Sequence, residues 1–151
     1  MSAMSQKLQT LLAQPERSGI YHLPHSDCKA LKQAALALHF GWLQTDFGES
    51  RDIVAILEKI GHDLRLPEWY GANHDALADC LGDLSWNTAP GYVLLIAGAG
   101  KLHDRERAAF DLLNEVLGTV IGDWQTERTP FWVFYDLPAK AAGSLPTIPA
   151  S

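Results

Sequence analysis

Two five-residue runs, Tyr92-Val93-Leu94-Leu95-Ile96 and Phe131-Trp132-Val133-Phe134-Tyr135, are apolar at every position. A strand with one wet face alternates apolar and polar residues, so runs like these need cover on both sides, as interior strands of a parallel sheet have. Between them, Asp104 to about Ile121 sets Ala109, Phe110, Leu113, Val116, Leu117, Val120 and Ile121 at helical spacing. Strand, long helix, strand is the connection that parallel neighbours require. The same alternation runs upstream. Gly19 to Leu23 reads as a short strand ended by Pro24, and Ser26 or Asp27 can cap a helix to about Leu38 with Cys28, Leu31, Ala34, Ala35 and Leu38 inward. Phe40 to Phe47 reads as the next strand. Ser50 can cap a helix to about Ile60, with Ile53, Ile56, Leu57 and Ile60 on its buried face, and a shorter helix follows from about Asn73 to Leu81. The expected fold class is α/β, a small and mainly parallel sheet of about three to four strands with helices packed on it in layers.

The 151 residues suit one folded unit, and a hydrophobic fraction of 47% with five Trp is ample for its core. The formal charge of −6 lacks the clustered cations that phosphate binding needs, so direct nucleic-acid binding is not expected, whereas a basic protein partner is compatible. Cys28 and Cys80 are the two cysteines, too few for a disulfide framework, and reduced thiols are expected. The first residues carry Lys7, Glu16 and Arg17 without a long apolar run, and no membrane-length apolar stretch occurs anywhere. The expected location is the cytoplasm. Residues 138–151, rich in proline and poor in bulk, read as a flexible tail.

Most catalytic signatures fail. Gly98-Ala99-Gly100-Lys101 follows a buried strand and precedes a helix. A phosphate loop would need Gly at Leu95 and Ser or Thr at Leu102, and a dinucleotide fingerprint would need Gly at His103. The six histidines, His22, His25, His39, His62, His74 and His103, show no metal-site spacing and read as isolated surface residues. No nucleophile elbow is present. Neither a cofactor nor a metal is expected.

Pro67 to Asp83 is different. It holds Glu68, Asp75, Asp79 and Asp83 without one Lys or Arg. At about 100° per residue the three aspartates share a stripe about 80° wide, while Leu77, Cys80, Leu81 and Leu84 fall on the opposite side. Like charges at i, i+4 disfavour a helix by about 0.2–0.5 kcal/mol per pair. Asp75 recovers some of this in the first turn, which Asn73 can cap. Trp69 and Tyr70 adjoin the stripe on a loop held by Pro67 and Gly71. Rings beside a one-signed patch suit a protein-binding surface. A solvated face and a metal site on Asp75 and Asp79 remain the alternatives, the latter short of the oxygen ligands a hard cation wants.

The run Leu66-Pro67-Glu68-Trp69-Tyr70-Gly71-Ala72-Asn73-His74-Asp75-Ala76-Leu77-Ala78-Asp79-Cys80-Leu81 resembles the barstar family, intracellular inhibitors of the bacterial ribonuclease barnase. The family pattern there is Leu-Pro, an acid, two aromatics, Gly, x, Asn, x, Asp-Ala-Leu, x, Asp-Cys-Leu. The element order from about Phe40 to Asp136 is similar as well. The resemblance implies a barstar-like domain over 40–137, preceded by a segment 1–18 and an added strand–helix unit 19–39. It also implies an inhibitor rather than an enzyme. Asp79 would be the central anion in the pocket where the ribonuclease holds an RNA phosphate, and Asp75 would pair with a basic residue nearby. Trp69 would pack over the catalytic region, with Gly71 and Asn73 shaping the loop contact and Tyr70 and Asp83 extending the surface. Glu115 on the long helix is the candidate for a further acidic contact. Ala78 departs from the family, which has an aromatic there. The implied partner is a basic ribonuclease, bound by a chain that is monomeric when free. The alternatives are a module of the same fold that binds another basic protein and, last, a metal-dependent enzyme.

Overall fold

The strand–helix alternation is realised throughout the computed structural model, which describes residues 2–138 and 145–146. In chain order the elements are α1 (Ala3–Leu12), β1 (Ile20–Leu23), α2 (Cys28–Ala37), β2 (Gly41–Asp46), α3 (Ile53–Asp63), α4 (His74–Asp83), β3 (Tyr92–Ala97), α5 (Gly100–Arg105), α6 (Arg107–Thr126) and β4 (Phe131–Asp136). The fold is α/β. Four strands form one sheet in the order β1-β4-β3-β2, and every pairing is parallel. The two fully apolar runs are its two central strands.

Alternation along those strands sends side chains to two separate cores. Tyr92, Leu94 and Ile96 of β3 and Phe131, Val133 and Tyr135 of β4 join the buried residues of α3, α4, α5 and α6. Val93, Leu95, Trp132 and Phe134 point the other way, against Leu8, Leu11 and Leu12 of α1 and Leu31, Ala34 and Ala35 of α2. Helices therefore cover both faces, and the arrangement has three layers. The N-terminal unit is integral to the second core. Trp132 is fully buried and its indole N–H donates to the Leu12 carbonyl at 3.0 Å, while β1 pairs with β4 in the register Ile20↔Val133 to Leu23↔Asp136. Among the described residues no helix is long and apolar enough to cross a membrane.

Several details differ from the expectations. The segment before residue 19 contains α1, capped by Ser2, whose Oγ accepts the Ser5 N–H at 3.0 Å. Helix α3 begins later than Ser50 suggests. Its cap is Asp52, which accepts the Val54 N–H at 3.0 Å, and the Ser50 hydroxyl accepts from the Asp52 N–H instead. Asp27 precedes α2 but makes no side-chain cap bond. The helix expected from Asp104 is two helices, broken where Glu106 leaves helical geometry at φ −133°, ψ 59°. His22 and His103 are buried rather than on the surface. Most of the expected flexible tail lies outside the described residues. Within it, the Pro146 carbonyl accepts the His22 N–H at 3.1 Å and Leu145 packs on the first core.

The Gly98–Lys101 turn has an internal explanation. Gly98 has φ +69° and lies so close to the Asp46 carboxylate and the Gly48 backbone that a Cβ would not fit. The first turn of α5 is occupied by the chain's own anion, since Glu49 Oε1 accepts the Lys101 N–H at 3.0 Å. A phosphate would have to displace it.

Candidate protein-binding interface

The acidic segment is built on α3. The Leu66 N–H closes that helix by donating to Gly61 O at 3.0 Å, and Pro67 turns the chain so that the Tyr70 N–H reaches Pro67 O at 2.9 Å. Tyr70 then folds back over α3, its hydroxyl donating to the Leu57 carbonyl at 2.7 Å. Room for the ring exists because residue 61 is glycine, where a Cβ would stand 2.6 Å from Tyr70 Cε2. Burial, with a smaller contribution from Cys80, pushes the Tyr70 phenol up to about 12, so it stays protonated and remains a donor. With Tyr70 docked, its neighbour Trp69 is left 57% exposed.

The left-handed residue of the loop is Ala72, at φ 51°, and not Gly71. A non-glycine residue there costs on the order of 1 kcal/mol or more. At Gly71 a Cβ would stand 3.2 Å from Asn73 Nδ2, which also donates to the Gly71 carbonyl at 3.5 Å. Asn73 caps α4 as expected, Oδ1 accepting the Ala76 N–H at 2.8 Å. Helix α4 ends at Leu84, which takes the left-handed conformation at φ 46°.

The two sides of α4 have opposite characters. Leu77, Cys80 and Leu81 are fully buried, and the Trp124 indole N–H on α6 donates to the Leu81 carbonyl at 2.8 Å. Asp75, Asp79 and Asp83 are all exposed. No Lys, Arg or His forms an ion pair with any of them among the described residues. Asp83 accepts the Ser85 hydroxyl at 2.9 Å. Burial raises the Cys80 thiol, and Asp79 and Asp83 add to the shift, so their field reaches through the helix. Glu68 and Glu115 are exposed too. Glu115 lies on α6, the helix that packs on α4, beside a shallow depression lined by Leu112, Val116, Gly118 and Thr119.

One residue escapes sequence reasoning. Trp86, on the turn Ser85–Asn87 directly after α4, is 37% exposed. The acidic helix is therefore bracketed by exposed tryptophans, Trp69 before it and Trp86 after it. A second Trp two residues past Leu84, the residue that ends the helix, was the available signal.

Asp75 and Asp79 join no cluster able to hold a metal among the described residues; the group that does form is His25, Cys28 and Asp136, away from α4 in sequence. The face thus offers exposed carboxylates without an ion-pair partner among the described residues, flanked by exposed rings. Comparison with known families matches residues 40–136 to barstar, the barnase inhibitor, and that span is well over half of the chain. The chain belongs to the barstar family. The match starts at residue 40, so α1, β1 and α2 lie outside the barstar region although β1 completes its sheet and α1 and α2 its second core. No curated relative matches the chain.

Proposed function

We propose that this chain is a cytoplasmic inhibitor of a basic, barnase-like ribonuclease, which it blocks with α4 and the Trp69–Asn73 loop. It acts as a binding protein and not as an enzyme, needs no cofactor, contacts neither nucleic acid nor membrane directly, and is a monomer when free. The observation that carries this reading is the row Asp75, Asp79 and Asp83, exposed and without an ion-pair partner among the described residues, on the segment that resembles the barstar motif.

A ribonuclease that binds RNA phosphates presents a cationic cleft. Carboxylates held on a folded helix satisfy that cleft without an ester to cleave, and the flanking rings exclude water around them. Asp79 occupies the phosphate position, Asp75 pairs with a neighbouring cation, and Trp69 covers the catalytic region. Asp83, Trp86 and Glu115 extend the contact. The Tyr70–Leu57 bond and the Asn73 cap hold the surface in its binding shape, which lowers the ordering cost of association. Opposite fields speed encounter and make it salt-sensitive, behaviour for which the barnase–barstar complex is itself a reference case.

The test is capture of partners from the native host at low salt and release at high salt, followed by RNA-cleavage assays on the released protein. A basic ribonuclease silenced stoichiometrically by this chain is expected. Capture of a basic protein that cleaves no RNA would instead establish a second reading, a module of the same fold with a different client. Ala78, standing where the family has an aromatic, favours that reading.

A further inference from the structure

Where β1 and β4 end, three chemically different ligands converge. The register Leu23↔Asp136 sets the two strand ends side by side, and Pro24 stops β1 there. The short turn His25–Asp27 then carries the chain into α2, whose first residue is Cys28. His25 Nδ1 lies 2.7 Å from Asp136 Oδ2, and the ligand atoms of His25, Cys28 and Asp136 all lie within 4.8 Å of one another.

We propose that His25, Cys28 and Asp136 form a Zn²⁺ site that clamps the N-terminal unit to the barstar domain. Around a tetrahedral zinc, with bonds of about 2.0–2.3 Å, ligand atoms stand roughly 3.3–3.8 Å apart. The His–Asp contact, at 2.7 Å, therefore has to open for the metal to enter. The donor set fits the ion. Thiolate, imidazole and carboxylate together suit zinc, whereas Mg²⁺ and Ca²⁺ want oxygen alone. The His25 side chain is 89% exposed, so the metal has an entry path and water can fill the fourth position.

A cation here would sit between the Asp136 carboxylate and the Cys28 sulfur, with Asp27 one residue away in the same turn. On binding, the S–H bond breaks, its electron pair forms the Zn–S bond, and the proton leaves to solvent. Nδ1 of His25 must likewise be free of a proton to ligate. Two of the ligands come from the added unit and the third is the last residue of the barstar match. The bound metal closes a loop of more than a hundred residues between the turn after β1 and the end of β4, which disfavours separation of the two parts. None of the three residues belongs to α4, so this site stands whether or not the client is a ribonuclease.

The full chain, kept reduced with a phosphine, is titrated with Zn²⁺ by calorimetry and with Co²⁺ by absorption. One ion per chain is expected, with a thiolate-to-cobalt charge-transfer band and a thermal midpoint that rises with Zn²⁺. Cys28→Ser should abolish the band. Cys28→Ser, His25→Ala and Asp136→Asn should each weaken Zn²⁺ binding by more than about tenfold, a loss seen even for groups one shell further from a metal. Circular dichroism establishes that each variant is folded, and Cys28→Ser, at a half-buried helix start, serves if another variant is not. Absence of binding below millimolar Zn²⁺ overturns the proposal, as does a Zn²⁺ affinity unchanged in Cys28→Ser.

Discussion

Replacing Asp79 with alanine should move stability and binding in opposite directions. Asp79 sits in the middle of α4, exposed, with Asp75 four residues before it and Asp83 four after. Each like-charge pair at that spacing costs about 0.2–0.5 kcal/mol, so removing the central charge recovers about 0.4–1 kcal/mol. Alanine also forms helix better than aspartate, by up to about 0.7 kcal/mol. Nothing on the folded side opposes this, because the carboxylate has no ion-pair partner among the described residues. The net gain is about 0.5–1.5 kcal/mol, which in a chain of this size raises the thermal midpoint by about 1–6 °C. Added salt should shrink the gain, since exposed charges are screened. Affinity for the ribonuclease should fall by at least about 2 kcal/mol, or roughly 30-fold in Kd. That threshold is the general one for interface hot spots, a class the barnase–barstar complex helped to define. Thermal melts at two salt concentrations and calorimetric titration against the captured ribonuclease read the two effects separately. A lowered midpoint together with weaker binding would mean that Asp79 supports the fold and affects binding only indirectly. Unchanged affinity would remove it from the interface altogether.

Gly61→Ala should lower the thermal midpoint and weaken partner binding, because the new Cβ strikes the Tyr70 ring that anchors the loop; Gly118→Ala on α6, which meets nothing within 4 Å, should instead stabilise by about 0.5–1 kcal/mol. If both changes stabilise alike in denaturant titrations, Tyr70 is not packed on residue 61. Asp63 gives a pH test: burial raises its carboxyl, but hydrogen bonds from Lys59 Nζ, Thr45 Oγ1 and the Asp46 N–H outweigh that and hold it below the usual carboxylate range. A depressed folded value adds stability above the unfolded value of about 3.9 and loses it as the pH falls through the folded value. The advantage of the native chain over Asp63→Asn, measured by urea unfolding, should therefore be present near neutrality and shrink below about pH 4; a pH-independent difference would contradict the assignment. Removing residues 1–39 uncovers Val93, Leu95, Trp132 and Phe134, and the remainder should self-associate and bind a hydrophobic dye. A monomeric, cooperatively melting 40–151 fragment would show that this face needs no cover.

The parts of the fold legible in the sequence are those where one local pattern decides. β3 and β4 have no polar position to suggest a wet face, and Leu77, Cys80 and Leu81 against Asp75, Asp79 and Asp83 orient α4 from spacing alone. Helix α1 was also readable in principle, since Leu8, Leu11 and Leu12 sit at i, i+3, i+4 behind a Ser cap. The break at Glu106 carries no Gly or Pro to mark it, and the choice of Asp52 over Ser50 as cap depends on backbone geometry. The left-handed residue at 72 was hidden by the glycine beside it. Of the His25–Cys28–Asp136 cluster the sequence shows His25 and Cys28 three residues apart, but Asp136 lies 111 residues from His25, and only the pairing of β1 with β4 brings it to them.

That same pairing governs when the molecule can be finished. β1 is made more than a hundred residues before its neighbour β4 closes at Asp136. Until then the leucines of α1 and α2 have no sheet to lie against, and Trp132, whose indole fastens α1, has not been made. Synthesis at about 5–20 residues per second leaves β1 waiting roughly 6–20 s for its partner strand. The second core, and with it the sheet order β1-β4-β3-β2, can therefore close only after β4 has been made.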